Sequence, residues 1–469
     1  MLDIVFIPHR SSLRALTTDA QKVFAMLRLI PQEDVARTRP PLALALVVDT
    51  SGSMREFAEM DRAKEEIERQ GLQGQQTSSG DGSAKAFALD LPSKLDEAMR
   101  AAHAIINDSR FEPTDQITIV HFDDTADTLL PLTSLGHPEA AHHAIDSLQQ
   151  YSGGTHMGKG LQLAQRELAA LPASVAKRVI LLTDGRAFDE ADCRTITQEL
   201  AANNTAVIAI GIGTTYNQEL MVEIANVSRG RAHHLTDTTA TALSGILDPE
   251  VNQLVKEVIT DLQATVATVK GVRLDRLSRV HPGVVDVDLA NTPYRLGNIA
   301  AGDFTTFVLE FTVSGIARPP SRARIAQVGL VGNAPALGRR EEFPLPELFV
   351  NFTSDEAAIS AVDQTVLDAV RGLNVDAALE GAIRQAASNP EEARRTLQVA
   401  LGMTQQIGNG AMTRVIERAL DELDKTGTVS ENTARTVRVG GRTMTVSPGH
   451  TMQAQGLPSE EEIRKATGT

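Results

Sequence analysis

Two carboxylates and three hydroxyls stand where the chain pattern lets them meet. The apolar run Leu42–Val48 leads straight into Asp49-Thr50-Ser51-Gly52-Ser53. A second small-residue loop carries Ser152-Gly153-Gly154-Thr155, and the run Arg178–Thr183 ends in Asp184-Gly185. A small, hard divalent cation wants oxygen ligands in near-octahedral geometry and keeps several waters. Hydroxyls bound directly, with carboxylates acting mostly through water, leave such an ion electron-poor and one position open for an acidic group from a partner. By itself Asp-x-Ser-x-Ser is more often a turn and helix N-cap than a metal site. Its co-occurrence with Thr155 and Asp184, each at another strand end, is what favours metal chemistry.

Other groups carry less. Gly153-x4-Gly158-Lys159 has phosphate-loop spacing, but Gly160 stands where Ser or Thr must hold magnesium, and no strand feeds the loop directly. His142-His143 and His233-His234 are adjacent pairs, whose side chains point apart on a helix or strand. They read as surface or partly buried histidines. Asp123-Asp124 reads as a solvated turn, with a second cation site as the alternative, and Cys193 as inert packing in a helix. No Ser–His–Asp order, catalytic carboxylate pair or cofactor fingerprint is present, so the expected function is not enzymatic.

The elements that must position the five oxygens alternate between strand and helix from Leu42 to about Lys256. Leu42–Val48, Gln116–Phe122, Arg178–Thr183 and Ala206–Ile212 are near-continuous apolar runs, as expected of parallel strands covered on both faces, and Arg231–Leu235 is a fifth strand. Thr128–Leu132 reads as an antiparallel edge partner of the second. Ser93–Ile106 reads as a helix with a Ser93/Asp96 capping signal and a Leu95, Ala98, Ala102, Ile105 stripe. Repeated strand–helix–strand units predict a doubly wound α/β sheet, on which ligands sit at the carboxyl ends of the strands.

Asp49-x-Ser51-x-Ser53 with Thr155 and Asp184 resembles, in order and spacing, the metal-ion-dependent adhesion site of von Willebrand factor type A domains. The resemblance covers roughly residues 42–250. It implies a doubly wound, mainly parallel sheet and Mg2+ (or Mn2+ or Ca2+) as cofactor. Ser51 and Ser53 would ligate directly, Thr155 directly or through water, and Asp49 and Asp184 mostly through water. The open position would take a Glu or Asp of a partner protein. Members of the family are overwhelmingly binding modules. One departure stands out: about 38 residues, Arg55 to Pro92, separate the metal loop from its following helix. Glu59–Arg69 reads as a charged helix, and Gly71–Ser83 is Gln, Gly and Ser rich. This insert leaves the metal loop directly, so it is expected to rise from the ligand-binding face, either to cover or shape the metal site or as a neutral loop extension.

Around this domain the composition changes. Residues 1–38 hold two strand-like pieces, Leu2–Ile7 and Val23–Ile30, with no sheet of their own. After residue 257 strands recur through Val350; in Thr306–Val313 the residues Phe307, Leu309, Phe311 and Val313 share one face. The expected architecture is therefore an α/β domain (39–257, insert 55–92) set into a β-sandwich made of 1–38 and 258–353. A small helical domain (354–425), with a start signal at Asn389-Pro390-Glu391, follows with about four short helices. Residues 426–469 hold nine threonines and read as a flexible tail, with one hairpin expected at Thr436–Val446 around Gly440-Gly441. The layout resembles bacterial intracellular proteins in which a type A domain is set into a β-sandwich, and larger trafficking and inter-α-inhibitor heavy-chain-like proteins. It implies a scaffold or adaptor.

Bulk properties bound the partners. A chain of 469 residues is expected to hold about three domains. Lys and Arg number 45 against 60 Asp and Glu, and the net charge of −15 disfavours nucleic acid and anionic membrane surface. Cys193 is the one cysteine, which excludes an internal disulfide framework and a thiolate zinc cluster. Three tyrosines and no tryptophan argue against a stacking groove. Pro8, His9 and Arg10 stop the first apolar run short of a secretory signal, and no run approaches the roughly 18 residues of a membrane span. The expected setting is cytoplasmic. The leading partner is a protein presenting Asp or Glu to the metal. An AAA+ ATPase of the metal-chelatase type, with this chain as its docking subunit, is the alternative. Phosphorylation of the tail would offer a site to a phosphothreonine-reading protein, although a plain Thr-rich flexible end is the favoured reading.

Overall fold

The computed structural model describes residues 2–17, 19–32, 38–69, 91–235, 239–314, 321–345 and 347–443. Pro41–Val255 form one compact unit, and the segments that precede and follow them form another. The first segment supplies β1 (Leu2–Pro8), β2 (Ser12–Arg14) and β3 (Gln21–Pro31). β1 and β3 pair antiparallel, with Leu2 opposite Pro31 and Pro8 opposite Ala25.

The α/β unit follows in the order β4 (Leu42–Asp49), α1 (Met60–Arg69), α2 (Lys94–Ile106), β5 (Gln116–Phe122), β6 (Ala126–Ser134), α3 (Glu139–Ser147) and α4 (Met157–Ala169). It is completed by β7 (Ala176–Thr183), α5 (Glu190–Ala202), β8 (Thr205–Ile212), α6 (Gln218–Val227), β9 (Arg231–Leu235) and α7 (Ala240–Val255). The sheet order is β6-β5-β4-β7-β8-β9. β4 to β9 run parallel except β6, the antiparallel edge.

Every residue of β4 is buried, and its alternation divides them between two helix layers. Leu42, Leu44, Leu46 and Val48 join the core that holds Leu95, Ala98, Ala102 and Ile105 of α2. Ala43, Ala45 and Val47 face Leu161, Ala164 and Leu168 of α4. Burial on both faces is why this strand reads as a continuous apolar run rather than an alternating one. β4 lies between β5 and β7 although it precedes both in sequence, so the strand order reverses at β4. The carboxyl end of such a switch strand is the crevice where doubly wound sheets take ligands.

The second unit resumes with β10 (Glu257–Thr268), β11 (Val272–His281), β12 (Val285–Asp286), β13 (Tyr294–Ala300), β14 (Thr305–Val313), β15 (Arg322–Ala334), β16 (Arg339–Phe343) and β17 (Leu348–Thr353). One sheet runs β1-β3-β14-β11-β12; the other runs β13-β10-β15-β17-β2, with β16 on β15. Phe307, Leu309, Phe311 and Val313 of β14 and Val23, Ala25, Leu27 and Leu29 of β3 point into the shared core between the sheets. The chain thus inserts a doubly wound α/β domain into a β-sandwich.

Helices α8 (Glu356–Ser360), α9 (Gln364–Gln385), α10 (Pro390–Gln406), α11 (Gly410–Thr426) and α12 (Glu431–Thr443) follow. Val366, Ala369 and Leu373 of α9 cover Met26 and Val308 on the outer face of the first sheet. α9 runs for 22 residues, longer than the short helices expected, because it has a sheet face to cover.

The end of the described chain corrects one expectation. Residues 431–443 are a packed helix, not a hairpin within a weakly ordered tail. Gly440 and Gly441 are buried in it. A Cβ on Gly441 would stand 3.1 Å from Asp376 Oδ1 and 3.3 Å from Leu379 Cδ1, so the glycine allows α12 to approach α9 closely. Tertiary packing overrides the turn preference of a Gly-Gly pair. Thr433, expected to be exposed, is buried and donates to Glu422 Oε1 at 2.6 Å. The stretch Gly71–Ser83 and the residues after 443 lie outside the described residues.

Candidate metal centre

Asp49 ends β4 and has no solvent exposure. Its Oδ1 accepts the Ser51 amide at 2.8 Å, which folds Asp49-Thr50-Ser51 into a tight turn, and its Oδ2 accepts the Thr183 hydroxyl at 2.5 Å. A short 3-10 turn, Gly52–Arg55, then aligns the two serines, with Ser51 Oγ 3.1 Å from Ser53 Oγ. The Ser53 hydroxyl donates to Asp184 Oδ1 at 2.6 Å. Asp184 follows β7 and is likewise fully buried.

Backbone bonds lock the three loops together. The Gly52 amide donates to Gly153 O at 3.0 Å, and the Phe188 amide donates to Thr155 O at 2.9 Å. Thr155 packs against Gly185, where an added Cβ would stand 2.8 Å from Thr155 Oγ1. Glycine after Asp184 is thus a steric requirement for the Thr155 hydroxyl. The five residues expected to form a site are therefore neighbours along one path: Asp49, Ser51, Ser53 and Asp184 through hydrogen bonds, and Thr155 through contact with the Asp184 loop.

The electrostatics of this cluster call for positive charge. Burial and the nearby Asp184 carboxylate push Asp49 up to about 7, against the hydrogen bonds from Ser51 and Thr183. Two buried carboxylates side by side are costly unless a cation neutralises them. Among the described residues no three His, Cys, Asp or Glu side chains converge as a metal cage. Carboxylates with hydroxyls are instead the donor chemistry of a hard oxygen-seeking cation, so the residues present fit Mg2+.

One cation is already built in, and the sequence reading missed it. Lys94 Nζ lies 2.8 Å from Asp184 Oδ2, 2.8 Å from Glu56 Oε2 and 3.5 Å from Ser53 O. Burial works against its charge, but Asp184 and Glu56 outweigh it and hold Lys94 above the usual lysine range. A signal was present. Lys94 is the first residue of α2, where the helix dipole disfavours positive charge, so a specific carboxylate was to be expected nearby.

The insert closes on itself at this point. Ala58 N donates to Pro92 O and Lys94 N to Glu56 O, both at 2.9 Å, with Phe57 bridged to Ser93. Residues 56–58 and 92–94 thus form a short antiparallel stalk beside the Asp49–Ser53 loop. Ser93 and Asp96 make the expected capping box.

The remaining candidates find ordinary partners. Lys159 Nζ donates to the Asp124 carbonyl at 2.6 Å. Asp123 is buried rather than solvated, and its Oδ1 accepts Thr125 N at 2.7 Å in a local turn, whereas Asp124 is exposed. His142 Nδ1 meets His103 Nδ1 at 2.7 Å, His233 Nε2 meets Glu250 Oε1 at 3.0 Å, and His234 Nδ1 meets Tyr216 Oη at 2.9 Å. His233 and His234 are buried, more so than the surface or partly buried placement expected of them. Burial pushes the Cys193 thiol up, in keeping with packing rather than reactivity. No described helix is long and apolar enough to cross a membrane.

Comparison with known proteins identifies the α/β unit. The model of the von Willebrand factor type A domain matches residues 81–249, a span that includes Thr155 and Asp184 and begins after Asp49, Ser51 and Ser53. A von Willebrand factor type A protein from Catenulispora acidiphila superposes over 95% of this chain and 97% of its own, with a TM-score of 0.74 at 18% identity. The ArnB paralog VWA2 from Sulfolobus acidocaldarius covers 95% and 99%, with a TM-score of 0.58 at 15% identity. Curated relatives are more distant in extent. The collagen alpha-1(XXI) chain of Xenopus laevis is 30% identical over 112 residues, which is 24% of this chain and 12% of that one. An uncharacterized protein of Synechocystis sp. is 26% identical over 143 residues, 30% of this chain and 33% of its own. The matched regions thus span a third or less of these relatives. Residues 81–249 thus match a von Willebrand factor type A domain, and the solved structures share the fold.

Proposed function

We propose that the α/β unit is a Mg2+-dependent protein-binding module within a scaffold or adaptor. Asp49, Ser51, Ser53, Thr155 and Asp184 hold the ion, and a Glu or Asp of a partner protein completes its shell. The observation that carries this reading is the meeting of two fully buried carboxylates and three hydroxyls at the carboxyl end of the switch strand. When bound, the cation supplies a Lewis-acidic position for a carboxylate oxygen. The protein's own residues do the rest. Thr183 and the Ser51 amide fix the Asp49 carboxylate, so that it stays behind the hydroxyls. The Ser53–Asp184 bond aligns the hydroxyl pair before any ion arrives. The Gly52–Gly153 and Thr155–Phe188 bonds keep the loops from spreading.

The test is a Mg2+ or Mn2+ titration of the full chain by calorimetry, beside Asp49→Ala and Ser51→Ala. Saturable binding to the parent chain and none to either variant is expected. Equal binding by all three would sink the reading. Affinity capture from native cells, with and without EDTA, then identifies the partner. Metal-dependent recovery of an AAA+ ATPase would direct the scaffold reading to a docking subunit of an ATP-driven machine.

A further inference from the structure

The Lys94 ammonium is the one structural cation that touches the carboxylate–hydroxyl cluster among the described residues, and its placement has a functional meaning. Asp184 is fully buried, and the Lys94 side chain is 12% exposed, so their 2.8 Å contact is poorly screened. Glu56, its other partner, is 56% exposed, so that pair is the weaker of the two and Asp184 is the dominant contact. The position of the ammonium is set by rigid parts. Lys94 opens α2 directly after the Ser93/Asp96 capping box, and its amide closes the stalk to Glu56.

We propose that Lys94 is a built-in counter-cation of the metal centre: it weakens the centre's hold on a divalent ion alone and keeps the loaded centre short of negative charge. The inference rests on the proposed metal-binding role of the five residues. Two carboxylates facing a dication make a neutral centre, with little reason to attract a third carboxylate. With the ammonium beside Asp184, the same centre carries a net positive charge. The energy that repulsion removes from ion binding is recovered only when an acidic partner arrives. Such coupling makes ion and partner mutually dependent. It is a positioning and tuning role, since Lys94 acts through Asp184.

Mn2+ titration of the full chain tests this on the parent, Lys94→Met, Lys94→Arg and Asp49→Ala. Removing a unit charge 2.8 Å from Asp184 Oδ2 is expected to tighten Mn2+ binding about tenfold in Lys94→Met. Lys94→Arg should bind like the parent. A second readout needs no metal: Lys94→Met should melt below the parent in EDTA, because Asp184 is left buried and unpaired, and the gap should close as Mn2+ is added. Unchanged or weaker Mn2+ binding by a folded Lys94→Met overturns the inference while leaving the metal centre standing. Should Lys94→Met fail to fold, Lys94→Gln carries the same two expectations. Absence of Mn2+ binding by the parent, or parent-like binding by Asp49→Ala, overturns the metal centre and the Lys94 role with it.

Discussion

Ser53 donates its hydroxyl to Asp184 across 131 residues of chain, at 2.6 Å, and this bond joins the first and third loops at the end of the switch strand. Neither residue is within reach of the other until β4 and β7 lie side by side, so the geometry is a product of the sheet. Ser53→Ala should therefore leave the core intact and reduce Mn2+ affinity at least tenfold, which calorimetry reads directly. Melting temperature in EDTA should stay within a few degrees of the parent, since one partly exposed hydrogen bond is worth about 1 kcal/mol.

Gly185 offers a purely steric test. A methyl there would sit 2.8 Å from Thr155 Oγ1, so Gly185→Ala is expected to displace the hydroxyl without removing any candidate ligand. Mn2+ binding should weaken about as much as in Thr155→Ala. Combining the two substitutions should add little further loss, because they act on one group. An additive double variant would separate Gly185 from Thr155.

Away from the site, Glu250 shows how the α/β unit holds charge inside. Burial opposes its ionisation, but Arg231 at 3.1 Å and the His233 hydrogen bond at 3.0 Å overcome it and bring it to about 2, below its ordinary 4.5. A carboxyl depressed by folding contributes stability above its unfolded pKa and loses it as pH falls from 4.5 toward about 2. Glu250→Ala should cost about 3–5 kcal/mol, since it removes the buried carboxylate that Arg231 and His233 share. Urea unfolding at pH 7 checks the cost, and the acid limb of the stability profile should flatten in the variant.

Asp376 on α9 behaves in the opposite sense. Burial raises it to about 6, with Arg442 pulling the other way at 3.5 Å. A carboxyl raised by folding makes the folded state weaker as pH climbs from 3.8 toward about 6. Asp376→Asn should remove that slope and match or exceed the parent by about 1–2 kcal/mol at pH 8. Thermal melts at pH 4.5 and pH 8 decide it: an unchanged slope would mean that another group carries the titration.

Occupancy of the metal centre should register in stability as well. An ion that binds only the folded state adds about 2.7 kcal/mol at a concentration a hundred times its Kd. Mg2+ should therefore raise the melting temperature of the parent by several degrees, and EDTA should reverse it. Asp49→Ala should show no shift, and its EDTA melting temperature should equal or exceed that of the parent, because the substitution removes one of two repelling buried charges.

Legibility in the sequence followed how strongly local pattern and tertiary packing agreed. Leu42–Val48 and Gln116–Phe122 were readable because burial on both faces makes their composition uniform. The Ser93/Asp96 cap was readable because its chemistry is local. Asp49, Ser51, Ser53, Thr155 and Asp184 were readable as candidates because each follows a strand or a small-residue loop. α12 was not readable: its Gly-Gly pair has the turn signal, and only the surface of α9 makes a helix the better answer. Lys94 was overlooked because a lysine beside a helix cap is unremarkable until Asp184, 90 residues on, is placed against it.

The stalk formed by residues 56–58 and 92–94 has a consequence for how this chain tolerates change. Its two sides meet through the Ala58–Pro92 and Lys94–Glu56 bonds, so whatever lies beyond them begins and ends at nearly the same point. Chain added to or taken from the loop past the stalk alters closure entropy only slowly with length. Ala63 and Ile67 of α1 pack on Phe57 and Leu91, so the exchangeable part is the chain beyond α1. The position is a natural splice point, where a reporter, an epitope or an unrelated domain could be exchanged for the present segment without redrawing the sheet beneath it.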